Sequence, residues 1–191
     1  MALTFDGGSG SQGAAAILHT LRANGVAATF FLTGNFVRSY PGTAAAIVDA
    51  HYLVGNHTTT HPHLNSLGSA AVVREITGAE QQLRTTTGRS PRPWFRFPFG
   101  EYDARTLQLV HGLGYGAIGW TVDSRGWQGR EAGTVADVVH RVRAALQPGM
   151  IVLMHLGANP DDGTTFDADA LPQVIASIRA AGYGFVALNS W

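Results

Sequence analysis

An α/β fold with parallel strands is what this 191-residue sequence predicts. Three observations point there. Short apolar, β-type runs alternate along the chain with longer segments of helical period. A junction in which a helix ends on Gly and leads into a strand recurs, and polar clusters fall directly after candidate strands. Parallel strands need crossover helices, so repeated units of this kind build either a barrel or a doubly wound sheet.

The expected strands are residues 2–5, 28–32, 52–55, 94–96, 115–118, 151–154 and 184–188, each rich in β-branched, aromatic or other apolar residues. Between them lie helical segments. Residues 12–23 carry Ile17, Leu18 and Leu21 on one face. Residues 70–85 carry Val72, Val73, Ile76 and Leu83, with charge on the opposite face. Pro41 suits a first helical turn, and Thr134 with Asp137 has the form of a capping box opening a helix over 135–146. The junctions at 22–27, 111–116 and 179–184 each contain a Gly able to take the left-handed cap conformation.

Length and composition narrow the class of partner. A chain of this size holds one sizeable core, so residues 1–191 are expected to form a single domain. Formal net charge is zero and charged residues make up only 14%, so no basic field gathers nucleic acid or an anionic membrane surface. A neutral ligand and a monomer are expected. Cys is absent, which removes disulfides and thiolate metal ligands and leaves His and carboxylates to hold any metal. No stretch approaches the roughly 20 apolar residues of a membrane span. The immediate start of a core strand suggests a mature domain whose leader has been removed.

The polar clusters have a common position. Asp6 follows the first strand, His57 and His61 follow the third, and Arg96 ends the fourth. Asp123 and Trp127 come after the fifth, and His155 ends the run at 151–154. In a parallel barrel those carboxyl ends open on one face, where barrel enzymes assemble their active sites. His57 and His61, four residues apart, can share one face of a helical turn and close on one metal ion. His19, His51, His111 and His140 fall on or beside helices and are read as solvent-facing; His63 follows His61 closely enough to draw attention, but the reading without a metal role is favoured for it.

Leu3-Thr4-Phe5-Asp6, the His57 to His61 pair, Arg96-Phe97-Pro98-Phe99-Gly100, Asp123 to Trp127 and Leu153-Met154-His155 stand in that order. Together they resemble the five motifs of the polysaccharide deacetylases, the NodB-homology domain of carbohydrate esterase family 4. The resemblance covers almost the whole chain and implies a distorted (β/α)7-type barrel. It also implies a secreted or cell-surface hydrolase that removes acetyl groups from an acetylated polysaccharide. His57 and His61 would hold a divalent metal, zinc first, with cobalt, nickel or manganese as alternatives. Asp6 would be the base that takes the proton of the attacking water, and Arg96 would keep Asp6 ionised and oriented. The backbone N–H of Phe99 would help bind the oxyanion, His155 would protonate the leaving group, and Trp127 and Leu153 would wall the acetyl pocket.

Two positions depart from that family pattern. The usual first motif is Thr-Phe-Asp-Asp-Gly, whose second Asp is the third metal ligand, and here that position is Gly7. Water with help from Asp6 is the favoured replacement for that ligand, with Asp123 and His63 as the alternatives. The usual fourth motif is Asp-x-x-Asp-Trp, whose second Asp pairs with the acid His, and here that position is Gly126. Without that partner the His155 pKa is not expected to rise unless Asp123 or a substrate group takes over. N-acetyl groups of peptidoglycan or chitin-type glycans are the first substrate expectation, O-acetylated xylan the second. A non-catalytic glycan-binding pseudoenzyme is the rival from another class. Gly8-Ser9-Gly10-Ser11-Gln12-Gly13 also matches a dinucleotide fingerprint, but the second strand ends in Phe30-Phe31-Leu32-Thr33-Gly34 with no carboxylate for a ribose. Loops 124–134 and 157–169 are the expected groove walls.

Overall fold

The computed structural model describes residues 1–188. Its strands in chain order are β1 (Ala2–Gly7), β2 (Ala28–Leu32), β3 (Leu53–Asn56), β4 (Trp94–Phe95), β5 (Gly116–Ala117), β6 (Val122–Asp123) and β7 (Ile151–His155). The α-helices are α1 (Ala14–Ala23), α2 (Gly34–Ser39), α3 (Pro41–Asp49), α4 (Ser69–Thr87), α5 (Ala104–Gly112), α6 (Val135–Ala144) and α7 (Phe166–Ala180). The strand order is β5-β4-β3-β2-β1-β7-β6. β1 runs parallel to β7, β6 to β7, β3 to β4 and β4 to β5, the α/β arrangement expected from the alternating pattern. β1 and β2 are buried along their whole length, as strands covered on both faces must be.

Expectation and structure differ at one strand. Residues 184–188 do not form the last strand; instead the Met1 amino group donates to the Gly184 carbonyl (2.9 Å) and the Val186 N–H donates to the Met1 carbonyl (2.9 Å). Two such bonds tether a segment without building a ladder. The strand beyond β7 is β6, two residues long and thus too short to show any periodicity in sequence. The three junction glycines do adopt positive φ: Gly25 at 58°, Gly114 at 79° and Gly182 at 83°. The third therefore caps α7 without leading into a strand.

The chain divides into two compact units, one made of residues 1–29 together with the chain from 120 onward, the other of residues 30–119. In the first, β1 and β7 pair in register from Ala2 opposite Ile151 to Asp6 opposite His155. α7 packs on α1 and α6, burying Leu171, Val174 and Ile178 together with Ile17 and Leu21 of α1. Each such side chain contributes about 1.5–3 kcal/mol through burial. The Thr134 and Asp137 capping box opens α6 as expected. The glycine loop has a packing cause. The Gly13 N–H donates to the Leu156 carbonyl (2.8 Å), and a Cβ at Gly13 would lie 3.1 Å from that oxygen and from Ala168.

In the second unit α4 packs against α2, α3 and α5. Val72 and Ile76 of α4 join Leu64, Phe95, Phe97, Val110 and Tyr115 in one core cluster. Asn56, fully buried at the end of β3, donates to the Ile76 carbonyl (2.8 Å) and the Tyr115 hydroxyl (3.1 Å), which satisfies its amide. Among the described residues no helix is long and apolar enough to cross a membrane.

Gly55 of β3 has no room for a side chain, since a Cβ would meet the Phe31 ring at 2.6 Å and the Trp94 Cβ at 3.1 Å. Gly55→Ala is expected to destabilise the fold by about 1–3 kcal/mol through overpacking. Urea denaturation of the two proteins checks this.

Candidate active site

His57 and His61 lie in a loop after β3, not on a helical turn. Thr58 (φ 67°) and His61 (φ 59°) both take the left-handed region, a conformation that side chains with a Cβ adopt only when their surroundings hold them there. Two side chains supply that hold. The Thr58 N–H donates to Asn56 Oδ1 (2.9 Å), and the Thr59 and Thr60 N–H groups both donate to Glu75 Oε2 (2.9 and 2.8 Å). The Thr60 hydroxyl donates to Glu75 Oε1 (2.9 Å), and the Thr59 hydroxyl donates to the Glu75 carbonyl (2.8 Å). Gly34 and Asn35 of α2 donate to the Thr58 and Thr59 carbonyls, 2.9 Å each. One carboxylate from α4 thus clamps the turn.

The clamp sets two imidazoles edge to face with ring centroids 4.7 Å apart. His57 Nδ1 lies 2.9 Å from the Arg96 carbonyl. A carbonyl can only accept, so Nδ1 carries the proton and Nε2 of the neutral ring keeps its lone pair. This is the tautomer-fixing contact found behind imidazole metal ligands. Phe99, at φ 59° in the turn Pro98–Gly100, sets its ring edge-on to His61 (4.6 Å) and stacks it on His63 (4.0 Å, 10° between planes). His63 Nδ1 is 2.8 Å from Glu101 on the exposed rim. His63 is therefore engaged with Glu101 and Phe99, and among the described residues no set of three His, Cys, Asp or Glu gathers as a metal site.

Arg96 is fully buried. Its Nε donates to the Ile118 carbonyl (3.3 Å), its Nη2 donates to the Gly119 carbonyl (3.1 Å), and its guanidinium lies 4.1 Å from the Phe31 ring centroid. A permanently charged group buried this deeply needs such acceptors.

In the unit that includes β1 and β7, Asp6 and His155 are directly opposed strand partners, and the Leu156 N–H donates to the Asp6 carbonyl (3.0 Å). Leu153 is buried on β7 opposite Asp123. Asp123 organises the next loop: its Oδ1 accepts the Arg125 N–H (2.8 Å), with Arg125 at φ 58°, and its Oδ2 accepts the Trp127 indole N–H (3.2 Å). The Trp127 ring, 44% exposed, sits 6.0 Å from the His155 ring. The loops expected to be groove walls brace each other, since Asn159 Nδ2 donates to the Trp127 carbonyl (3.0 Å) and the Arg130 N–H donates to Asp162 Oδ2 (2.7 Å).

The residue that sequence reasoning missed is Asp167. It stands in the first turn of α7, is 3% exposed, and accepts the Ser124 hydroxyl (2.6 Å) on Oδ1 and the His155 N–H (2.8 Å) on Oδ2. Oδ2 also lies 3.7 Å from His155 Nδ1, an ion-pair distance longer than a hydrogen bond. Burial disfavours the charged imidazolium, but Asp167, with Asp6 and Asp123 behind it, outweighs that cost and the His155 pKa lies above its ordinary value. The expectation of an unraised His155 is thus corrected. The signal available was only an Asp opening a helical pattern, where the helix dipole favours an anion.

The polysaccharide deacetylase family profile matches residues 1–118. The chain belongs to this family. It is 30% identical over 189 residues to a chitooligosaccharide deacetylase of Azorhizobium caulinodans, covering 95% of this chain and 89% of that protein. It is also 30% identical to a peptidoglycan-N-acetylglucosamine deacetylase of Bacillus cereus, covering 100% of this chain and 67% of the relative. Among solved structures, a family 4 carbohydrate esterase from Streptomyces lividans in complex with acetate matches 97% of this chain and 90% of its own (TM-score 0.83, 31% identity). A family 4 pseudoenzyme from Bacillus anthracis matches 100% of this chain and 64% of its own (TM-score 0.89, 30% identity). A mutant of that pseudoenzyme is described as having restored enzymatic activity. The fold is that of this family, the (β/α)7 type that the motifs implied.

Glu75→Ala removes the acceptor of two loop N–H groups and is expected to cost about 1.5–3 kcal/mol locally. Hydrogen exchange at Thr59 and Thr60 should accelerate while α4 amides keep their protection.

Proposed function

We propose that this protein is a metal-dependent deacetylase that hydrolyses N-acetyl groups of a peptidoglycan or chitin-type glycan at the cell surface or outside the cell. The observation that carries the reading is the Asp6 and His155 pair, a buried carboxylate opposed in register to an imidazole whose pKa is raised. Amide hydrolysis needs those two roles. A base must take the proton of the attacking water, and an acid must protonate the nitrogen as it leaves. Asp6 is suited to the first because a carboxylate oxygen can accept the proton of a water held against it. His155 is suited to the second because the surrounding carboxylates keep it protonated to higher pH.

In the proposed sequence water adds to the acetyl carbonyl carbon while Asp6 accepts its proton. The tetrahedral adduct then breaks its C–N bond as His155 gives its proton to the nitrogen, releasing acetate and the free amine. General acid–base steps of this kind are worth about 10²–10⁴-fold each. The Phe99 N–H is assigned to the oxyanion and Arg96 to the ionised state of Asp6, both from the family motif. Trp127 and Leu153 are assigned to the acetyl pocket. His57 and His61 would hold the divalent ion: the Arg96 carbonyl leaves His57 Nε2 as a donor, and imidazoles suit zinc, cobalt and nickel. When bound, the ion supplies Lewis acidity toward the acetyl oxygen and the attacking water.

A second reading has its own support. Gly7 stands where the family places its third ligand, and the B. anthracis pseudoenzyme shares the fold. On that reading the groove binds glycan without turnover.

Asp6→Asn is expected to lower acetate release by about 10²-fold or more while glycan binding persists; an Asn variant with wild-type turnover rejects the base role. His57→Ala and His61→Ala should each lose metal retention with the circular dichroism spectrum unchanged, and full occupancy in both would overturn the ligand assignment. Gly7→Asp should tighten metal binding, as titration calorimetry would show. Rates on acetylated chitooligomers, muropeptides and acetylxylan rank the substrates.

A further inference from the structure

We propose that Asp167 is the positioning residue of His155, a carboxylate that α7 delivers into the space left open by Gly126. This deepens the deacetylase reading, and only its effect on turnover rests on that reading. The steric observation is direct. A Cβ built on Gly126 would lie 2.3 Å from Asp167 Oδ1, 2.5 Å from its carboxyl carbon and 2.9 Å from its backbone N. Position 126 therefore cannot carry a side chain while Asp167 occupies its place. The family pattern has its carboxylate at that position, so a carboxylate is present here but comes from another element.

Asp167 is also held rigidly enough to position a neighbour. Its two oxygens accept from the Ser124 hydroxyl and the His155 N–H. The Gly126 N–H lies 3.3 Å from Ser124 Oγ as its donor, and the Arg141 guanidinium donates to the Ser124 carbonyl and to the Ala132 carbonyl (3.3 Å). The carboxylate is thus locked to the backbone of β7 and to the 124–126 turn at once. His155 Nδ1 is buried with no hydrogen-bond partner and faces Asp167 Oδ2 at 3.7 Å. The charged groups acting on the imidazole are Asp6 from β1, Asp123 from β6 and Asp167 from α7, with the Trp127 ring beside them. Asp167 bonds to the backbone of His155 itself.

The sign follows from the geometry. A fixed anion beside Nδ1 stabilises the imidazolium, so the protonated acid survives to higher pH and its loss marks the alkaline limb of turnover. Asp167→Asn removes the charge yet keeps both contacts: the amide oxygen can accept the His155 N–H and the amide nitrogen can donate to Ser124 Oγ.

The test is an NMR titration of the His155 ring in the wild type and in Asp167→Asn, with kcat and KM measured against pH on an acetylated chitooligomer. The expected result is a His155 midpoint moved to lower pH, an alkaline limb of kcat moved the same way, and a kcat loss on the order of 10–100-fold with KM little changed, as for orienting partners elsewhere. An unmoved midpoint in Asp167→Asn overturns the proposal, as does an unchanged kcat profile in an active enzyme. If the wild type releases no acetate, the titration still decides the role of Asp167 and the deacetylase reading fails separately.

Discussion

The parallel register of β1 against β7 is the constraint on which the chemistry depends. Five consecutive pairs, from Ala2 opposite Ile151 to Asp6 opposite His155, leave no freedom in where the last pair falls. A slip by one residue would turn Asp6 into the opposite face of the strand and separate it from the imidazole. The register is secured by ordinary means: buried apolar residues along both strands and the Thr4 hydroxyl donating to the Val152 carbonyl (2.7 Å). Asp6 and His155, the proposed base and acid, are thereby set by the same contacts that build the core.

The loops around these strands follow one device repeatedly. A carboxylate, from the same loop or from a neighbouring element, accepts backbone N–H groups around the site. Glu75 does this for residues 59 and 60, Asp123 for residue 125, Asp162 for residues 130 and 164, and Asp167 for residue 155. Hydrogen bonds to a charged acceptor are worth about 1.5–3 kcal/mol, enough to hold left-handed backbone at Arg125, while at Thr58 the Asn56 amide oxygen accepts the N–H. The ring positions of His57, His61 and Trp127 are consequences of these clamps.

Much of this was legible in sequence, and the reason differs by element. The long helices showed because their apolar faces repeat over many residues, and the junction glycines because positive φ restricts the choice of residue. Asp6, His57, His61, Arg96, Phe99 and His155 stand out as candidates because they follow strands in a family order. β6 was not legible, since two residues carry no period. The non-helical shape of the His57 to His61 loop depends on Glu75, fourteen or more positions away. Asp167 was missed for a related reason: what it replaces is 41 positions earlier, and only folding brings α7 against the 124–126 turn. Gly126 alone reads as a lost function, whereas with Asp167 beside it the carboxylate has changed its origin.

On the proposed reading these residues catalyse deacetylation despite Gly7. Acetate release by the wild-type protein from an N-acetylglucosamine oligomer, followed after chelation and after return of zinc, cobalt, nickel or manganese, tests it most directly. Release should disappear with chelation and return with metal. Glycan binding with no acetate formed under any of these ions would contradict it.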